Sequence, residues 1–223
     1  MKILQVLLLV AGFLIASHAK AGFITTNESA LDAIFSQTSF GLKPIDIRIG
    51  AASELVLPDF LDITTDVEVN QLFNFHIGGP NVVNFYFIDT ISACGSFVIT
   101  GIVGCGETPG NDFVVESSAA AGSHGSELLA HELGHNLGLD HMSGAFLMDG
   151  TLNNITTLTT QEVSSIHNSP LVQTNGRDFW IDINPILIVA TATNPLPVPE
   201  PSTLILLLLS FSFLFKNGLK KSK

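Results

Sequence analysis

Residues 130–141, AHELGHNLGLDH, concentrate side chains that can bind a metal and move a proton. The leucine spacing in SELLAHELGHNLGL predicts a helix through the first part of this segment. His131 and His135 lie four residues apart, so that helix presents both imidazoles on one face. Such a pair can give a tetrahedral metal two nitrogen ligands at about 2.0–2.1 Å each.

The segment also contains a stop for the helix and a third imidazole. Gly138 can adopt left-handed backbone angles at low cost, so we expect the helix to end there and the chain to reverse. His141 can then return as a third ligand and leave one coordination position for water. Glu132, next to His131, is placed to take a proton from that water.

The pattern HExxHxxGxxH resembles the signature of the metzincin zinc proteases, nearest to their matrixin-like members. The resemblance implies that His131, His135 and His141 bind one catalytic Zn²⁺. It implies that Glu132 is the general base and that Met148, in GAFLMDG, is the methionine of the Met-turn. The implied activity is that of a zinc metalloendopeptidase acting on protein or peptide substrates.

The resemblance covers most of residues 45–170 and implies an α+β fold. This fold has a twisted mixed β-sheet, an active-site helix, a Met-turn and a C-terminal helix. A substrate strand would lie antiparallel to an edge strand, here DFVVES, which follows the loop GIVGCGETPG. The segment from Met148 to Thr157 would build the pocket for the residue after the cleaved bond.

Three other interpretations of the motif remain open. The histidines can be solvated or capping side chains at a helix end. The chain can be a non-catalytic surface or matrix protein with a structural zinc, although a structural site has no use for an uncoordinated carboxylate at Glu132. It can also be a zinc hydrolase that acts on an amide other than a peptide.

Hydrophobic periodicity predicts the elements that must position these residues. The predicted helices are NESALDAIFSQTSF, TTDVEVNQLFNF with Thr65 as its cap, and TLTTQEVSSIHNS with a capping box of Thr159 and Glu162. The predicted strands are PIDIRIG, VVNFYFIDTI, GSFVITGIVGCG and DFVVES. For the helix that carries the motif, Ser123 or Ser126 is the expected N-cap, and Glu127 suits its first turn.

Residues 1–21 have the layout of a secretory signal peptide. Lys2 is followed by an apolar run and by small residues that predict cleavage by signal peptidase after Ala19 or Ala21. The alternative is a membrane anchor, but the run is short for a span of about 20 residues. We therefore assign the globular domain to residues 22–190.

The other end of the chain predicts sorting to the cell envelope. Residues 191–203 form a proline-rich linker that contains VPEPS, and residues 204–223 form an apolar segment with a basic tail. This order resembles the PEP-CTERM signal of Gram-negative bacteria, which implies processing by an exosortase-type enzyme. A plain C-terminal anchor is the alternative, and both place this segment in the membrane before processing. The implied location is the cell surface or the extracellular space.

Charge and cysteine content restrict the partners of the domain. Residues 22–199 contain three basic and nineteen acidic residues, a net charge of −16, which disfavours binding to nucleic acid. Export implies an oxidising compartment, so we expect a disulfide between Cys94 and Cys105, with free buried thiols as the alternative. The acidic residues invite Ca²⁺, but no D-x-D-x-D-G loop supports it.

The four histidines outside the motif receive simpler interpretations. His18 would be lost with the signal peptide, and His76 and His167 are interpreted as surface or edge residues. His124 could line the cleft, although capping or solvent exposure is favoured.

Overall fold

The computed structural model of the protein describes residues 22–95, 97–98 and 101–191. The chain separates into two compact units after Ala190. The predicted signal segment, the linker beyond residue 191 and the apolar tail lie outside the described residues. None of the helices within the described ranges has both the length and the apolar character that a membrane span requires.

The described residues form helices and strands in alternation. The helices are α1 Glu28–Phe35, α2 Asp66–Phe73, α3 Ser117–Ala120, α4 Gly125–Asn136 and α5 Thr160–His167, with 3₁₀ turns at Thr38–Phe40 and Pro58–Phe60. The strands are β1 Ile45–Ile49, β2 Ser53–Val56, β3 Asp62–Ile63, β4 Val82–Ile88, β5 Thr90–Ile91, β6 Ala93–Cys94, β7 Phe97–Val98, β8 Gly104–Gly106, β9 Asp112–Glu116, β10 Gln173–Thr174 and β11 Phe179–Val189.

The main sheet is mixed and mostly parallel, as an α+β fold allows. Its strand order is β1-β11-β4-β9-β8, and β2 and β10 also pair with β11. β1, β2 and β4 run parallel to β11, and β9 runs parallel to β4, whereas β8 and β10 are antiparallel to their partners. Two further pairs, β3 with β5 and β6 with β7, form separate small sheets.

β11, the longest strand of the described part of the chain, was not predicted from the sequence. Its Pro185 lacks the N–H that a central strand normally donates. Pairing with β1 ends at Ile183, and pairing with β2 begins at Ile186. The proline therefore lies where β11 changes partners on that side, so no ladder bond is lost.

Two strand predictions were wrong. DFVVES forms β9, which lies between β4 and β8 and is therefore not an edge strand. The edge is β8, a stretch of three residues, Gly104–Gly106. GSFVITGIVGCG is not one strand, because β7 and β8 are separate elements in different sheets.

The two faces of the central strands pack into two cores, because successive side chains of a strand point to opposite faces. Phe85, Phe87 and Phe113 belong to the core that includes the leucines of α4. Tyr86 and Val114 belong to the other core, with the apolar side of α2. The motif-bearing helix is thus buried against one face of the sheet.

Two of the predicted helix caps are present, and the third is not. Thr65 and Thr159 form capping boxes with the glutamates three residues later, which confirms both predictions. The cap predicted for α4 was wrong, because His124 occupies the N-cap without a side-chain cap bond and Ser126 lies inside the helix. α4 begins at Gly125, and only a glycine fits at this position, because a Cβ would collide with the carbonyl oxygen of Ala120.

Candidate metal centre

Helix α4 and the turn after it bring the three motif histidines together. His131 and His135 project from α4 one turn apart, and Gly138 ends the helix with a φ of 88°. The chain then reverses and returns His141 to the same point. The structure therefore unites all three predicted ligand residues in a group that could hold a metal ion, with their ligand atoms within 4.8 Å of one another.

The Nε2 atoms of the three rings converge. The Nε2 of His141 lies 3.2 Å from that of His131 and 3.1 Å from that of His135. Two nitrogens bound tetrahedrally to one ion at about 2.05 Å would lie about 3.3 Å apart. The spacing observed between the rings thus fits a single small cation.

Backbone carbonyls fix the tautomers of two of these rings. The Nδ1–H of His131 donates to Leu147 O at 2.9 Å, and that of His135 donates to Leu139 O at 2.8 Å. A neutral imidazole has only one N–H, so the Nε2 atoms of both rings carry lone pairs. The Nε2 of His141 can donate to only one of them. The remaining lone pairs face each other without a proton between them, an arrangement that a cation resolves.

Burial favours the neutral form of His131 and His135. Desolvation lowers the pKa of His131 to about 4, although its bond to Leu147 O acts in the opposite direction. Desolvation also lowers the pKa of His135, again against the effect of its backbone partner. Metal ligands must be unprotonated, so the buried part of the site is ready to bind a cation at neutral pH.

The side chain of Glu132, a residue of α4, lies between this helix and the edge strand β8. It is 5 % exposed, and burial raises its pKa to about 8, against the lowering effect of a hydrogen bond from the Gly106 backbone. A Cβ at Gly104 would lie 2.6 Å from Glu132 Oε1, and one at Gly106 would lie 3.3 Å from the Cβ of His135. The glycines of β8 are therefore what allow this carboxylate to fit.

Met148 packs beneath the helix. It is fully buried, and its Sδ lies where only a glycine leaves room, because a Cβ at Gly134 would be 2.5 Å away. Met142 N–H donates to Met148 O at 2.8 Å. Gly134 was not predicted as a contact residue from the sequence, although a glycine inside a helix is itself a sign of close packing.

We refer to residues 148–157 as the wall segment. Leu147, the residue just before it, donates its N–H to Thr157 O at 2.9 Å and so brings the two ends of the segment together. Near its start, a Cβ at Gly150 would lie 3.7 Å from His141 Nδ1. The wall segment therefore borders the exposed ligand of the triad.

The other histidines with described positions lie outside the triad. His76 is not a simple surface residue, since its Nδ1 lies 3.0 Å from the buried carboxylate of Asp112. His167 packs between the rings of Phe40 and Phe179. His124 occupies the N-cap of α4, and its ring contacts Glu127 at 3.0 Å.

The structure also links Cys94 and Cys105 in a disulfide with a Cα–Cα distance of 5.6 Å. Cys105 is the middle residue of β8, so the bond ties the edge strand to β6. The sequence context gave this pairing as an expectation, and the side chain of Cys105 joins the core on the sheet face opposite α4.

Comparisons with protein-family models, with curated proteins and with solved structures found no match to this chain. The chemistry of the triad is therefore inferred from its own geometry.

Proposed function

We propose that this protein is an exported zinc-dependent endopeptidase of the metzincin kind. The observation that carries the proposal is the convergence of three Nε2 atoms, with the two N–H groups of His131 and His135 directed away into carbonyls. Three imidazoles in this arrangement suit Zn²⁺, and a fourth position stays open for substrate and water.

The triad residues bind the ion, and Glu132 handles the proton. Zinc, when bound, supplies a Lewis acid that polarises the scissile carbonyl and acidifies water. Glu132 then accepts a proton from the attacking water and gives it to the leaving amine. Its burial against the glycines of β8 keeps the carboxyl in a fixed position.

The substrate would pair with β8 rather than with β9. β8 is the last strand in the sheet order, and its Gly106 borders both Glu132 and His135. An extended peptide added to this edge gains backbone hydrogen bonds with little demand on sequence. This is the role that the sequence analysis gave to DFVVES.

Export remains part of the proposal. It rests on the signal-like residues 1–21, the apolar and basic residues 204–223 and the acidic domain between them. Signal peptidase and an exosortase-type enzyme would be the processing partners.

Substitution of the general base tests the proposal. We expect Glu132→Ala to retain about one zinc per chain but to lose about 10²–10⁴-fold in the rate of casein cleavage. Glu68→Ala, which removes a carboxylate from the first turn of α2, is the control and should cleave as the parent does. Equal cleavage by Glu132→Ala would show that another group is the base. A parent that binds zinc and cleaves no peptide would instead support the non-catalytic surface protein.

A further inference from the structure

Glu127 is a buried carboxylate that the proposed mechanism does not use. It lies one helical turn before His131 on α4, and it is 3 % exposed. A buried charge is costly unless hydrogen bonds satisfy it, so its partners indicate why it is there.

Both oxygens of Glu127 bind the wall segment. Oε1 accepts the backbone N–H of Asn153 at 2.7 Å, and Oε2 accepts that of Asn154 at 2.8 Å. The ring of His124 lies 3.0 Å from Oε2. Burial alone would raise the pKa of Glu127, but the bonds from Asn153, His124 and Asn154 more than offset this, so its pKa is lowered.

The wall segment depends on this contact at its least regular point. Asn154 has a φ of 63°, in the left-handed region that few residues adopt readily. Both asparagines are solvent-exposed. The carboxylate therefore holds this part of the backbone against α4, in addition to the packing of Leu152 on the core.

The same segment reaches the triad. Leu147, the residue just before it, accepts the Nδ1–H of His131, and Gly150 borders the ring of His141. A side chain adjacent to the cleaved bond must lie within a few ångströms of the ion, and so against this segment or against β8.

On the basis of the peptidase function proposed above, we propose that Glu127 is a positioning residue that sets substrate selectivity. It binds Asn153 and Asn154 and so fixes the wall segment at the distance from the triad that determines which side chain fits beside the cleaved bond. Glu127 itself touches neither the ligand atoms nor the reacting groups in this role.

The test uses the full chain with Glu127→Gln, which keeps the volume of the side chain but leaves one of the two wall N–H groups facing an amide N–H₂. Glu68→Gln is the matched control, because Glu68 also lies in the first turn of a helix and accepts two backbone N–H groups, from Thr64 and Thr65. Three quantities are compared: zinc content, amide hydrogen exchange at Asn153 and Asn154, and kcat/KM across peptides that vary beside the cleaved bond.

We expect Glu127→Gln to bind zinc as the parent does and to exchange faster at Asn153 and Asn154. The ratio of kcat/KM between peptides with a large and a small residue beside the cleaved bond should change by about tenfold, the effect of one altered pocket contact. Glu68→Gln should leave that ratio unchanged.

An unchanged ratio in Glu127→Gln, with faster exchange at the two asparagines, would overturn the selectivity role while leaving the peptidase intact. Unchanged hydrogen exchange at Asn153 and Asn154 would show that Glu127 does not hold the wall segment in place. A parent that cleaves none of the peptides would overturn the proposed function and this inference together. Glu127→Asp provides a rescue variant, since its two oxygens should restore part of the parental ratio.

Discussion

The two boundaries of the His triad are held in place by different means. β8 is held by backbone pairing to β9 and by the disulfide from Cys105, and it contributes glycines where it meets Glu132. The wall segment has neither regular pairing nor a covalent link. Besides the backbone bonds at its ends, it is held by side chains that reach it from α4 and from the turn after α1, among them Glu127 and Gln37.

We infer from this difference that the two boundaries have different roles in the proposed site. A boundary made of backbone and a disulfide can change little, which suits the proposed general base and the proposed peptide-binding edge. A boundary held by polar side chains can be altered by single substitutions, which suits the proposed role of the wall segment in substrate selectivity. Substitutions that remove the supports of each boundary in turn test this difference.

The largest effect on stability should come from the covalent support of β8. We expect the double variant Cys94→Ser, Cys105→Ser to lose about 3 kcal/mol in its free energy of unfolding, because the bond closes a short loop of the unfolded chain. Denaturant unfolding at a fixed zinc concentration measures this, with and without reductant. A loss under about 1 kcal/mol would show that pairing to β9 is sufficient to hold the strand.

The sequence predicted those parts of the site that depend on local rules. The spacing of His131 and His135, the stop at Gly138 and the capping box of Thr159 follow from helix geometry and glycine conformation. Each involves residues within a few positions of one another, so a single sequence contains the information.

Features that depend on distant parts of the chain could not be predicted in this way. β11 pairs with β1, β2 and β4, all more than ninety residues away, and its Pro185 is a residue that central strands rarely contain. The side chain of Glu132, in α4, leaves room only for a glycine at position 104 of β8. Glu127 binds a backbone N–H 26 residues later in the chain. A Gly-Cys-Gly stretch and a glutamate in a helical first turn have ordinary local explanations, so neither indicated the contact.

The glycines of β8 can be tested separately from the disulfide. In Gly104→Ala the new Cβ would lie 2.6 Å from Glu132 Oε1, and the flexible carboxylate would have to move. We expect kcat to fall about a hundredfold, the cost of displacing a catalytic group by about 1 Å, with little change in thermal stability.

Gly79→Ala is the control for this variant, since its Cβ would meet only the flexible Asn81 side chain at 3.2 Å. If Gly104→Ala retained the parental kcat, the close contact with β8 would have no part in placing the base.

The wall segment should respond more weakly to the loss of one support. Gln37 donates to Thr156 O at 2.9 Å and accepts the N–H of Leu158 at 3.1 Å. We expect Gln37→Leu to lose about 1–2 kcal/mol in the free energy of unfolding, because these two backbone groups and the carbonyl of Ile34 each lose a partner. The exposed Gln161→Leu, on α5, should change stability by less than about 0.5 kcal/mol. A similar effect of both variants would mean that Gln37 does not hold the segment.

The smallest predicted effect is a difference in the number of protons released when zinc binds. It tests whether the carboxylate of Glu132 lies close to the bound ion. Burial raises the pKa of Glu132 to about 8 and lowers that of His131 to about 4, so at pH 6.5 the metal-free protein carries a proton on the glutamate and almost none on this histidine. A cation beside the carboxylate favours its ionised form, and zinc binding should therefore release about one more proton from the parent than from Glu132→Gln. The difference should vanish as the pH rises above 8, where Glu132 is already ionised. Calorimetry in buffers of different ionisation enthalpy measures the count, and equal release at pH 6.5 would place the carboxylate out of reach of the ion.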